Sequence, residues 1–402
     1  MSAPKFIINN IERISITLVV YVVGLIENLL NIKIYRIRAD RIGHLALNHD
    51  LFFRRVNAGI LDNQKFILVG PMEDNSHWVA NKTLYRLIKN EAIKNSKIIF
   101  ICSSIIYKLL SASSAKIKES GINVELEIHS NEVEFSLYDR VLYLSKHDKQ
   151  RGWNKIKFLN IPDKSKIVCV FARDSAYLYM KDGLRDWSYH DYRNADIDTY
   201  IPAIKYLIDL GYFVIRIGST ASSQVNYKNK YFLDYPFSDL RSDFMDIFLI
   251  DISTFIVGTT SGITDVATVF NIPFLGVNYA PFTESPLGKN DLFIQKKLIN
   301  KSNAMVKYID ALELGVDDAY CGDIFYERTK LEYVDNSKDD ILDATVEMES
   351  VINNSYILIK KDKILIDKYF SEFWKSNKRA LVKTQPCISW LKKNISLYVN
   401  KA

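Results

Sequence analysis

Between Lys166 and Val277 the sequence alternates short β-branched runs with longer stretches of helical period. The runs are KIVCVF (166–171), YFVIRI (212–217), TFIV (254–257) and Phe274–Val277. Asp196–Leu210 and Arg241–Ile250 carry apolar residues at helical spacing, and Gly211 stops the first. Strands separated by helices need crossover connections, so the pattern predicts parallel βαβ units. A second series precedes it, with strands expected at Ile32–Ile37, Lys65–Gly70 and Lys97–Cys102 and helices at Leu45–Val56 and Asn81–Ile93. The fold class expected is α/β with two Rossmann-like domains.

The chain of 402 residues is long enough for two domains. The expected organisation is an N-terminal apolar helix over 1–31, a first Rossmann-like domain over 32–160, a second over 161–335, and C-terminal helices with a basic tail over 336–402. With 15 Gly and 9 Pro, disordered and collagen-like classes are excluded. Cys102, Cys169, Cys321 and Cys387 are widely separated, which argues against a disulfide framework or a CxxC zinc site and suits a reducing compartment.

The net charge of +6 is concentrated at one end. Residues 371–402 hold seven Lys/Arg side chains and one acid, Glu372, so the rest of the chain is neutral in sum. A nucleic-acid enzyme spreads basic charge along a groove, so no nucleic-acid partner is expected. Trp374 and Trp390 lie among these basic residues, which suits either an anionic membrane surface or a basic helix packed on the body. ISITLVVYVVGLIENLL (14–30) is the most apolar stretch. It is short for a spanning helix and is interrupted by Glu27-Asn28, so peripheral membrane contact or burial is expected.

The strongest chemical signal is VGTTSGIT (257–264), where a strand hands over to a helix. Glycines and small hydroxyls let backbone N–H groups approach a ligand, and a helix N-terminus favours an anion. Thr260, Ser261 and Gly262 are the expected phosphate cradle, an ordinary capped helix being the bland alternative. The spacing matches neither GxxxxGK[ST] nor GxGxxG. Arg216 and Arg173 stand at the ends of two strands of the same series, where a guanidinium can clamp a diphosphate. Asp265 is placed for sugar or ribose hydroxyls, or as a dipole partner of the helix. Glu284 and Lys289, in a loop after the next strand, are candidates to complete the donor pocket.

In the first series, Asp40-Arg41-Ile42-Gly43-His44 closes the opening strand. His44 or Asp40 is the candidate general base, facing the anion site across an interdomain cleft, with Arg41 and Gly43 on the acceptor side. His190 is a weaker candidate. Asp317-Asp318 and Asp339-Asp340 are expected to be loops or helix starts, and no metal site is expected.

RADRIGHLALNHDLFFRR, FARDSAYL, YRNADIDTYIPAIKYLIDLGYFVIRIG, RSDFMDIFLI and GTTSGITDVATVFNIP together resemble a family of bacterial glycosyltransferases found in surface-polysaccharide gene clusters. The likeness covers roughly 35–58 and 166–280 and implies the GT-B class: two Rossmann-like domains facing a cleft, no metal, no cofactor beyond the nucleotide-sugar substrate. It further implies that the donor diphosphate binds at Ser261 and Gly262. The heptosyltransferase-like branch sets its base in the Gly-containing turn after the first strand, which falls on His44, although that branch usually shows Asp there. The expected partners are a nucleotide-sugar donor and a lipid-linked or oligosaccharide acceptor, at the inner face of the bacterial cytoplasmic membrane. The rival expectations are a sugar-nucleotide epimerase on the same fold and a non-catalytic nucleotide-sugar or polysaccharide-binding scaffold.

Overall fold

A computed structural model describes residues 3–73, 79–127, 133–162, 165–315, 322–376 and 384–399, with the backbone alone for 3–13. Asp317, Asp318, Cys321, Lys378, Arg379, Lys383 and Lys401 lie outside the described residues. The chain divides into two compact units, one of residues 1–128 and 138–143, the other of residues 129–137 and 144–402.

The first unit opens with helix α1 (Ala3–Leu30). Asn31, at φ 52°, turns the chain into β1 (Ile32–Arg36). Then follow α2 (Ile42–Asn57), β2 (Lys65–Gly70), α3 (Lys82–Lys94), β3 (Ile98–Cys102) and α4 (Ser104–Glu119). The strands form a parallel sheet in the order β1-β2-β3, with Ile34 beside Ile67 and Ile67 beside Ile99.

Val23 of α1 is buried in one core with Ile34, Val69, Tyr107, Leu110 and Ile117, and Val19, Val20 and Ile26 pack against it. That helical spacing defines an inner face, and each fully buried valine contributes about 2 kcal/mol. Glu27 closes the inner end, pairing with Lys33 at 2.7 Å and accepting from the Ile34 amide at 3.3 Å. The outer face leaves Ile14, Leu18, Tyr21, Val22, Leu25 and Leu29 exposed. Among the described residues, no helix is long and apolar enough to cross a membrane.

The second unit is built on a six-stranded, all-parallel sheet in the order β6-β5-β4-β7-β8-β9. The strands are β4 (Ile167–Phe171), β5 (Phe213–Arg216), β6 (Phe232–Asp234), β7 (Phe255–Gly258), β8 (Phe274–Tyr279) and β9 (Leu292–Gln295). β5, β7 and β8 are buried along their whole length, as expected for parallel strands covered on both faces. A small antiparallel sheet of β10 (Lys297–Ile299), β11 (Met305–Val306) and β12 (Glu332–Val334) follows.

The C-terminal segment belongs to this unit. The helix Lys338–Ile352 packs on Ile201–Asp209 and on Ile388–Asn394. Glu347 accepts from the Ile388 and Ser389 amides at 2.6 and 2.7 Å. The Cys387 amide donates to Phe293 of β9 at 2.9 Å, and Tyr398 donates to Gln295 at 2.7 Å. For the two tryptophans this selects the second of the two readings of the tail, packing on the body. Trp374 and Trp390 are core residues, 9% and 2% exposed, so these two aromatics are not a membrane face. Lys392 and Lys393 are held by Asp362 and Asp343 at 2.8 and 2.6 Å.

Candidate active site

The strand order of the second unit reverses direction between β4 and β7. Ligands of open α/β sheets bind at the carboxyl ends of the strands at such a switch point. Here β7 ends in Gly258, and a Cβ there would lie 2.9 Å from the Phe171 carbonyl of β4. Only glycine lets the two strands approach so closely. The Arg173 amide donates to Thr259 Oγ1 at 3.0 Å and ties the two strand ends together.

The helix Gly262–Val269 starts directly after this turn. Thr264 Oγ1 accepts from the Ser261 amide at 3.1 Å and donates to the Ser261 carbonyl at 2.7 Å, which fixes the entry. The first-turn N–H groups of a helix have no partner within it and carry partial positive charge. Thr260 is anchored from β8, accepting from the Ala280 amide at 3.3 Å.

Asp265, half-buried in the first turn, has its carboxyl pushed up to about 7, chiefly by burial and then by the Glu284 charge, against the pull of Arg193. The Tyr279 hydroxyl is raised by burial and by Glu284 and Asp265, and it hydrogen-bonds to Thr260. Thr260, Asp265, Tyr279, Glu284 and Arg193 therefore share one electrostatic neighbourhood. Lys289 is exposed further along the Glu284 loop.

Arg193 ends a short 3₁₀ turn, Ser188–Arg193. Its guanidinium donates to His190 Nδ1 at 2.6 Å. Its Nε is buried and has no hydrogen-bond partner. Arg173 is buried and donates to the His190 carbonyl at 3.2 Å and to Asn194. Burial, and then Arg193, lower its pKa to about 10. Lys296, at the end of β9 and 3% exposed, is held by Asp335 and by the Asn194 carbonyl, each at 2.6 Å. Burial lowers its pKa, and Arg173 adds to that. Three cations, Arg173, Arg193 and Lys296, thus converge at this end of the sheet. Only Arg173 was anticipated from the sequence.

Arg216 is placed differently. It is 2% exposed, donates to the Ser223 carbonyl at 2.7 Å and pairs with Asp234 of β6 at 3.3 Å. Its charge is engaged between β5 and β6, one strand away from the switch point. Sequence reasoning found an arginine at a strand end and had no means of seeing Asp234 on the unrecognised neighbouring strand.

In the first unit, the turn after β1 leads into α2, with Arg41 as its extended N-cap residue. Gly43 lies within the first helical turn, with none of the left-handed backbone that would require glycine. His44 is half-buried, and its pKa is lowered to about 4. Burial is the main cause and the Arg38 charge adds to it, while Asp40 and an Asn48 hydrogen bond oppose. The imidazole is therefore neutral near pH 7, in a field that favours an arriving anion over a proton. Asp40 is close enough to act on His44 electrostatically. Among the described residues, no group of three or more His, Cys, Asp or Glu side chains is arranged to hold a metal ion.

No protein-family model matches the chain, and no curated protein matches it significantly. Among solved structures it is similar to a family 9 glycosyl transferase from Veillonella parvula, at 9% identity and TM-score 0.46, covering 80% of this chain and 97% of that one. It is also similar to the E. coli ADP-heptose LPS heptosyltransferase II, at 12% identity and TM-score 0.43, covering 80% and 99%. An E. coli heptosyltransferase with ADP-2-deoxy-2-fluoro heptose matches at 12% identity and TM-score 0.34, covering 67% and 94%.

Proposed function

We propose that the protein is a glycosyltransferase that moves a sugar from a nucleotide-sugar donor to a lipid-linked or oligosaccharide acceptor in bacterial surface-polysaccharide synthesis. The observation that carries the reading is the switch point of the second unit. There, one close-approach glycine, one helix N-terminus and one under-bonded arginine coincide. Gly262 and Ser261 would cradle the donor diphosphate, with Thr260 beside them. Arg193, backed by Arg173 and Lys296, would stabilise the charge that develops as the leaving group departs. Asp265 and Glu284 would take hydroxyls of the donor, and Lys289 remains a candidate at the edge of the loop. Arg216 supports the sheet beneath.

In the reaction, the bond between the anomeric carbon and the diphosphate oxygen breaks, and a bond to the acceptor oxygen forms. The acceptor hydroxyl passes its proton to the base, His44 or Asp40. An anionic acceptor phosphate beside Arg38 and Arg41 would offset their share of the depression of His44, burial being the larger share, and so make it a better base. The outward apolar face of α1 supports peripheral attachment at the inner face of the cytoplasmic membrane, where lipid-linked acceptors lie. No metal or cofactor is part of the reading.

The test is turnover against binding. His44→Ala and Asp40→Asn should leave nucleotide binding intact, and one of them should abolish transfer. Full transfer by both variants contradicts the base assignment. Exchange of the sugar nucleotide into its epimer, without acceptor, would favour the epimerase alternative.

A further inference from the structure

Ile357, Leu358 and Ile359 follow one another in the turn before the helix Lys360–Lys368, and they are 80%, 39% and 50% exposed. The turn is not loosely held. Asn354, at φ 55°, reverses the chain after Ile352, and the Ser355 and Tyr356 amides both donate to the Ser350 carbonyl. The aliphatic triplet is therefore presented on a fixed support. Ile364, 48% exposed, continues it one turn into the helix. Beside it is an open cavity of about 320 Å³ with almost wholly apolar walls, lined by Ile359, Lys361, Asp362, Ile364, Leu365 and Lys392.

The charges around this patch are mostly positive. Lys360, Lys361 and Lys363 are exposed. Asp362 is buried and neutralised by Lys392 at 2.8 Å, which leaves Asp367 as the exposed acid of the helix. Lysine is depleted at protein–protein interfaces, whose anchors are aromatic residues and arginine. A second copy docked about a two-fold axis would set lysines against lysines. An aliphatic knob ringed by lysines matches the acyl boundary and anionic headgroups of a bilayer.

We infer that the face formed by Ile357–Ile359, Ile364 and the surrounding lysines docks the second unit on an anionic lipid surface. The aliphatic side chains enter the acyl region. Lys360, Lys361 and Lys363 meet lipid phosphates, and the cavity takes part of one acyl or prenyl chain. The inference is independent of the transferase reading and of α1.

The test uses the full chain with phosphatidylcholine vesicles, with and without phosphatidylglycerol. Ile357→Trp adds an indole whose emission, as a difference from the parent protein, should shift to the blue on the anionic vesicles alone. The combined variant Lys360→Glu, Lys361→Glu, Lys363→Glu should keep the parent's thermal midpoint, because these side chains are exposed. Each lysine near an anionic surface adds about a fivefold factor, so partition should fall by at least about 100-fold. Three outcomes overturn the inference: no partition of the parent protein, an indole emission unchanged by bound vesicles, or a lysine variant that binds as well as the parent.

Discussion

Asp265→Asn should make the protein more stable, and increasingly so as pH rises. The carboxyl titrates near 3.8 in an unfolded chain and at about 7 in the folded protein. Between those values the native state binds the extra proton, so this group's contribution to stability falls as pH rises. The full shift amounts to about 4 kcal/mol at 1.36 kcal/mol per unit, and we halve it to about 2 because the side chain is partly open to water. Asparagine keeps the shape and removes the proton. His44 and His49, lowered to about 4, and Asp50 and Asp291, raised to about 7, titrate in the same window. They are common to both proteins and cancel in the difference. Denaturant unfolding at about pH 4 and about pH 8 should therefore show the variant gaining about 2 kcal/mol on the parent across that range. A constant or shrinking gap would refute the reasoning, because it would mean that Arg193 holds Asp265 as a stable carboxylate. A costly acid retained at the switch point is what a substrate-binding role leads one to expect.

Arg216→Ala should cost about 3–5 kcal/mol, because it strands Asp234 without its cation, whereas Arg193→Ala should cost about 1 kcal/mol or less; chemical denaturation separates them. Gly258→Ala should lower stability by about 1–3 kcal/mol, because its Cβ meets the Phe171 carbonyl rather than a movable side chain, and a thermal midpoint within error of the parent would contradict this. Val23→Asp should unfold the first unit, whereas Leu18→Asp, 61% exposed, should leave stability within about 0.5 kcal/mol; circular dichroism melts read both.

The parallel sheets were legible because their interior strands are continuously apolar. KIVCVF, YFVIRI and TFIV fall on β4, β5 and β7 to within a residue or so. β6, FLD, is three half-buried residues with no run to recognise, and β9, LFIQ, ends in the polar Gln295. Those two omissions also hid the partners that decide the site. Asp234 on β6 engages Arg216, and Lys296 just after β9 joins Arg173 around Asn194. Arg193 was visible only as one letter of SYHDYR, and its importance comes from a tertiary approach to Asp265 that no periodicity encodes. The helix-start loop was legible, because Gly258 and Gly262 punctuate a strand-to-helix junction. The two tryptophans of the tail were ambiguous, since a basic, aromatic segment has the same composition on a membrane as on a protein core; the burial of both, and the bonds from Trp390 to Tyr398 and from Tyr398 to Gln295, decide it.

The central claim is that the switch point binds the diphosphate of a nucleotide. Thermal unfolding of the parent protein and of Arg193→Ala with UDP, GDP, ADP, dTDP and CMP tests it most directly. A ligand at 100 times its dissociation constant adds about 2.7 kcal/mol, which moves the midpoint of a chain this size by a few degrees. The account predicts such a shift with at least one nucleoside diphosphate, a much smaller one in Arg193→Ala, and a midpoint within about two degrees of the parent's for that variant without ligand. A folded protein whose midpoint ignores every nucleotide, or an Arg193→Ala variant that shifts as far as the parent, would contradict it.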